Sequence, residues 1–272
     1  MILISAINHY KIKYEIVIIL EIKHIITSSK MDKILIITGG SKGIGKGIVE
    51  AYIEQNYKIF SISRSRINDE KFKKIFQIQH DLSDLDSIEL IMKEIFEKIK
   101  TTPESITLIN NAATLGNIGP LENNNWKNIQ QTVNINLMSP LVLTSEFIKH
   151  TKNMTCRKLI INISSGAANK AIFGWSLYCS TKAALDMMTQ TVGLEQSQDN
   201  NGVKIISVHP GVVDTQMQTE IRKTDKAVFK DVERFIDLKK SGSLSDPKRI
   251  GSEIFKLELN NITNGAIIDF RN

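Results

Sequence analysis

The stretch from Ser164 to Met187 reads SSGAANKAIFGWSLYCSTKAALDM and holds three side chains that could act together. Tyr178 and Lys182 are four residues apart, so on a helix they share a face and can approach one substrate. A free tyrosine has a pKa of about 10 and is a weak acid-base catalyst at neutral pH. A nearby ammonium stabilises phenolate, so Lys182 is expected to lower the Tyr178 pKa towards useful general-acid strength. Ser165 can donate its hydroxyl to a carbonyl oxygen that gains negative charge during hydride attack. Cys179 adjoins Tyr178 but falls off its helical face, and reads as a packed small residue.

A hydride needs a carrier, and a second motif offers a place for one. TGGSKGIG, Thr38 to Gly45, lies between a short apolar run and an amphipathic segment. Gly39, Gly43 and Gly45 permit a tight turn and close backbone approach, with Ser41, Lys42 and Ile44 between them. Exposed amides and the positive end of the following helix would attract a pyrophosphate. The next strand ends in SISRSR, with Ser63 and Arg64 where an acid would bond a ribose 2′-hydroxyl. Arg64 and Lys42 would instead suit a 2′-phosphate, favouring NADPH over NADH.

These motifs must be held by elements, and the chain supplies them in strict alternation. KILIIT, YKIFSIS, KIFQIQHDLSD, SITLINNAA, KLIINISS, VKIISVHPG and GAIIDF read as strands. Between them KGIVEAYIEQN and WSLYCSTKAALDMMTQTVGLEQSQ read as helices, and WKNIQQTVNINLMSPLVLTSEFIKHT as one or two despite Pro140. DLDSIELIMKEIFEKIK is a further helix, with Asp84 as its expected cap and Ile88, Ile91, Met92, Ile95 and Ile99 on one face. Crossovers of this length predict an α/β fold, a doubly wound parallel sheet with helices on both faces, in a single domain. The segment from Val212 to Lys240 breaks the rhythm and reads as a functional lid.

The 272 residues are 42% hydrophobic and 24% charged, the make-up of a globular protein with a sizeable core. The formal charge of +6 is scattered, without a basic run interleaved with aromatics, which argues against a nucleic-acid partner. Cys156 and Cys179 have no metal-ligand spacing and suit a reducing compartment; the histidines are unclustered, and no metal is expected. Residues 1–30 are rich in isoleucine, but Lys11, Lys13, Glu15, Glu21 and Lys23 interrupt them, so no membrane span of about 20 apolar residues is expected. They read as an accessory extension, with Met31 as the expected physiological start and residues 31–272 as the catalytic domain.

Taken together, the motifs resemble the short-chain dehydrogenase/reductase family from Lys33 onward: TGGSKGIG, HDL, NNAA, VNINL, ISS, YCSTK and HPGVVDT occur in family order. The resemblance implies a Rossmann-type fold with Tyr178 as proton donor, Lys182 holding the nicotinamide ribose, Ser165 polarising the carbonyl and Asn136 anchoring a relay water. It implies that Asp81 and Leu82 meet the adenine, that Asn110 supports the cofactor cleft, and that Pro210, Val213 and Thr215 hold the nicotinamide. Ala113 stands where the family usually has glycine, a substitution that activity is expected to survive.

Within the family, FGWSLYCSTKAALDM, GVVDTQMQTEIR and FIDLKKSGSLSD are most similar to benzil and sepiapterin reductases. That likeness implies reduction of adjacent dicarbonyls, with Phe173 and Trp175 either walling a flat substrate or packing their loop. Asp246 is either a pterin anchor or the cap of a helix that Pro247 opens. The expected function is a cytoplasmic NADPH-dependent carbonyl reductase acting on a benzil-type α-diketone, with sepiapterin reduction as the alternative. Relatives imply a homodimer or homotetramer. A non-catalytic NADPH sensor would have no need of Ser165, Tyr178 and Lys182 together, and a membrane-tethered enzyme would rest on residues 1–30 alone.

Overall fold

A computed structural model describes residues 31–271. The expectations for residues 1–30 fall outside the described residues. Seven strands, β1 (Lys33–Thr38), β2 (Lys58–Ser63), β3 (Phe76–Gln79), β4 (Ser105–Asn110), β5 (Arg157–Ile163), β6 (Lys204–His209) and β7 (Ile267–Asp269), form one sheet in the order β3-β2-β1-β4-β5-β6-β7. Every pairing is parallel. The strand order reverses between β1 and β4, and that switch point opens a crevice at the carboxyl ends of the strands.

The helices are α1 (Gly43–Glu54), α2 (Ile88–Glu97), α3 (Trp126–Val133), α4 (Ser139–Thr151), α5 (Ser176–Gln196), α6 (Gln216–Arg222), α7 (Val232–Lys240) and α8 (Pro247–Leu259). Alternation along β1 divides its side chains between two cores. Leu35 and Ile37 face Ile48, Val49 and Tyr52 of α1 and Ile250 and Ile254 of α8. Ile34 and Ile36 face Ile88, Met92 and Ile95 of α2 and Leu143 and Phe147 of α4. Both faces are covered, which is why the strand is apolar throughout rather than alternating. Each such side chain contributes roughly 1.5–3 kcal/mol by leaving water.

One helix expectation is corrected, and the one or two helices expected around Pro140 are two. Helix α2 starts at Ile88 rather than after Asp84, because the Asp84 carboxylate accepts the Ser87 hydroxyl at 2.8 Å and the intervening residues form a turn. Its apolar face is as expected, with Ile91 and Ile99 packed at the margin of the buried set. Pro140 sits in the first turn of α4, where a missing amide is tolerated, and a π-helical turn over Asn134–Met138 joins α4 to α3. The segment from Val212 to Lys240 forms α6 and α7. Ile221, Phe229, Val232 and Phe235 from it close over Leu115, Trp175 and Tyr178 in a third apolar cluster.

Candidate active site

The crevice begins with a clamp between β1 and β4. Thr38 Oγ1 accepts the Asn111 and Ala112 amides at 3.0 and 3.1 Å, and Asn111 Nδ2 donates to the Thr38 and Gly39 carbonyls at 2.9 and 3.1 Å. Gly39 takes φ 67°, which its lack of a Cβ allows. A Cβ on Gly45 would lie 2.1 Å from the Gly39 carbonyl oxygen. Helix α1 therefore starts hard against the turn, with its first amides towards the crevice, the arrangement that receives a pyrophosphate.

A cavity of about 380 Å³ runs from this loop to the lid. At the β2 end it is lined by Ser41, Lys42, Ser63, Arg64 and Ser65. Lys42 Nζ donates to Gln216 Oε1 at 2.8 Å, tying the glycine loop to α6, and the Ser41 and Ser65 hydroxyls are 3.1 Å apart. Next along the wall stand Asp81 and Leu82. Asp81 accepts the Ser83 amide and hydroxyl at 3.0 and 2.9 Å, and the amide bond foremost holds its carboxyl below the ordinary range, with Arg64 adding to the effect. Ile44, Pro210, Val213 and Thr215 also line the cavity, Thr215 at the start of α6. This cradle and donor set fit a nicotinamide dinucleotide.

Ser165, Tyr178 and Lys182 meet in the same cavity. Strand β5 ends just before Ser165, whose Oγ accepts the Ala167 amide at 3.2 Å and lies within hydrogen-bonding reach of the Tyr178 phenol. Tyr178 and Lys182 share the inner face of α5, with Lys182 Nζ 5.7 Å from the Tyr178 ring centre and donating to the Ile163 carbonyl at 2.7 Å. Burial, opposed by the Ser165 bond, pushes the Tyr178 phenol up to about 12. Burial also pushes the Lys182 ammonium down to about 8, against the pull of the Asp186 carboxylate one turn on. The direction of the Tyr178 shift is set by burial and not by Lys182: loss of water is the largest cause for both groups. Tyr178 is a phenol at neutral pH, the state a proton donor needs.

Four residues singled out in the sequence lie away from the cavity wall. Asn110 points into the sheet, donating to Asn162 Oδ1 at 2.9 Å and Thr144 Oγ1 at 3.3 Å, and its neighbour Asn111 lines the cavity instead. Asn136, in the π turn, is buried with both side-chain atoms engaged: it accepts the Thr114 amide at 2.8 Å and donates to the Thr114 carbonyl and Thr181 Oγ1. Its side chain braces α5 against the loop after β4. Phe173 is 44% exposed under the Lys230 ammonium, whereas Trp175 lines the cavity, stacked on Phe229 at 5.4 Å and edge-on to Tyr178 at 5.6 Å. Asp246 caps α8, accepting the Arg249 amide at 3.4 Å, outside the cavity lining.

Several lining residues went unread. Phe235 and Gln218 belong to the lid, whose position was expected but whose inward side chains no spacing singled out. Trp175 Nε1 and Gln218 Oε1 are buried without a partner among the described residues, two unmatched polar atoms on residues that line the cavity. Arg271 reaches the cavity from beyond β7, a contact only the folded chain creates.

Residues 33–226 match the short chain dehydrogenase family. The chain is similar to a benzil reductase ((S)-benzoin forming) of Bacillus cereus, 42% identical over 86% of this chain and 97% of that protein. It is also similar to the sepiapterin reductase of Bos taurus, 29% identical over 86% of this chain and 93% of the relative. Among solved structures, ElxO with NADP bound superposes with a TM-score of 0.72 at 25% identity, over 88% of this chain and 97% of that one. The parallel sheet, the glycine cradle and the joined Ser165, Tyr178 and Lys182 agree with that match, and the chain belongs to the short chain dehydrogenase family as an oxidoreductase acting on CH–OH and C=O groups.

Proposed function

We propose that the protein is an NADPH-dependent carbonyl reductase that reduces one ketone of a benzil-type α-dicarbonyl compound. The observation that carries this reading is a proton-donating trio set against an aromatic wall in a single cavity: Ser165, Tyr178 and Lys182 beside Trp175 and Phe235. The stacked indole and lid phenylalanines suit a flat apolar substrate. Arg64 and Lys42 at the far end suit a 2′-phosphate, and the similarity to a chain solved with NADP bound supports the same choice.

A bound nicotinamide would supply hydride to the carbonyl carbon. Tyr178 gives its phenolic proton to the oxygen, and Ser165 Oγ donates to that oxygen as charge develops. Lys182, fixed by the Ile163 carbonyl, holds the ribose and keeps a positive charge beside the phenolate that forms. Closure of α6 and α7 over Trp175 excludes water from the exchange. Asp246, at its cap position outside the cavity lining, gives no support to the pterin alternative.

Both cysteines are free thiols, and no helix among the described residues is long and apolar enough to cross a membrane; a cytoplasmic enzyme is the setting these features support. The test is NADPH and NADH consumption by purified protein with benzil and sepiapterin side by side. Benzil with NADPH should be fastest. Preference for sepiapterin would overturn the substrate, and equal use of NADH would overturn the cofactor.

A further inference from the structure

Arg271 follows the last strand, yet its side chain lines the same cavity as Ser165, Tyr178 and Lys182. A Cβ placed on Gly166, the residue after Ser165, would sit 2.6 Å from Arg271 Nη2 and 2.8 Å from Nη1. On the other side, a Cβ on Gly211, just past β6, would sit 3.4 Å from Arg271 Cγ. Two glycines thus leave the trough in which the arginine lies. Its fork is fixed from behind: Asp269 accepts from Nε at 2.8 and 3.1 Å and from Nη2 as well. Among the described residues no acceptor bonds Nη1. Asp269 is itself braced, 3.8 Å from His209 Nδ1, and His209 Nε2 is 2.7 Å from the buried Asp186 carboxylate.

The surrounding charge points the same way. Lys170 and Arg234 line the cavity with Arg271, whose charge Asp269 partly offsets, against the acids Glu220 and Asp81, the latter expected to meet the adenine. A neutral diketone has no use for this excess of cations, and the cofactor's 2′-phosphate is expected at the opposite end, beside Arg64. A planar guanidinium held beside the residue after Ser165, with Nη1 free among the described residues, is the group that receives a carboxylate most specifically.

We propose that Arg271 forms a carboxylate subsite, so that the enzyme's own substrate is an α-dicarbonyl of the 2-oxo acid class: a keto carbon bearing a flat apolar group on one side and a carboxylate on the other. This rests on the reductase reading above and narrows its substrate. Hydride adds to the keto carbon, Tyr178 protonates the keto oxygen, NADPH becomes NADP⁺, and the carboxylate passes through unchanged to give a 2-hydroxy acid.

The probes are phenylglyoxylate and its methyl ester, which differ in charge while presenting the same aryl ketone, with benzil as the neutral reference. Wild-type enzyme should show kcat/KM for the acid about tenfold or more above that for the ester. Arg271→Met should cut the acid-to-ester ratio by about tenfold or more, chiefly through KM for the acid. Arg271→Lys, which keeps the charge but loses the planar fork, should restore part of it. Binding of NADPH, followed by its fluorescence, checks that each variant is folded and that Arg271 does not act on the cofactor. Reduction of benzil and the ester but not the acid would overturn the subsite and leave the reductase reading standing. Equal loss on acid and ester in Arg271→Met would also overturn it. Failure to reduce benzil, ester and acid alike, with NADPH bound, would overturn the reductase reading itself.

Discussion

Arg64 stands at the carboxyl end of β2, where a carboxylate would bond a ribose 2′-hydroxyl and repel a phosphate. Arg64→Asp should therefore shift the NADPH-to-NADH ratio of kcat/KM towards NADH by about tenfold or more, the worth of a charge-assisted bond of ~1.5–3 kcal/mol. An unchanged ratio in steady-state assays would assign the phosphate to Lys42 and the Ser41–Ser65 pair. The pH profile reads another residue. Lys182, with its pKa lowered to about 8, is charged below that pH and neutral above it. Ketone reduction should stay level through neutrality and fall as pH rises through about 8, and a limb that appears only near the ordinary lysine value, about 10.4, would contradict the assignment. At this scale the sequence showed which side chains could react, because residue type and spacing carry that chemistry. It did not show the direction of the Tyr178 shift, which comes from burial by Trp175 and the lid and is invisible to spacing along one helix.

The elements were legible where apolar periodicity is strong, as in β1, β4, β5 and α5, and less so where side chains choose local partners. Asp84 illustrates the second case: it is a good cap by type, but the Ser87 hydroxyl takes its carboxylate and the helix begins later. Asn136 and Asn110 illustrate it again, since their partners, Thr114, Thr181 and Asn162, arrive from other elements. Helices α1 and α8 make a contact of the same kind. They cross through Gly47 and Gly251, where a Cβ on Gly251 would lie 2.2 Å from the Gly47 carbonyl carbon and one on Gly47 would lie 2.1 Å from the Pro247 carbonyl oxygen. Gly251→Val must push α8 off the cradle helix and should destabilise the protein by about 1–3 kcal/mol or more. Thermal unfolding should show a lowered Tm, and an unchanged Tm would mean that the crossing has room the geometry does not show.

Over the whole molecule, the strand order 3-2-1-4-5-6-7 gathers the carboxyl ends of β1, β2, β4, β5 and β6 around one cavity, so residues far apart in the chain act on one substrate. The outer faces of α4 and α5 leave Leu141, Met187 and Leu194 exposed, at 38%, 61% and 71%. Such exposed apolar side chains suit burial against a second copy. Light scattering should give the mass of a dimer or tetramer, and a monomeric mass at micromolar concentration would contradict self-association. The central claim is that this cavity reduces a ketone with Tyr178 as proton donor. Its most direct measurement is NADPH consumption with benzil by wild-type protein and Tyr178→Phe, alongside NADPH binding to each. The account predicts near-equal binding and a loss of turnover of about 10² to 10⁴ in the variant; near-normal turnover by Tyr178→Phe, or none by wild type with NADPH bound, would contradict it.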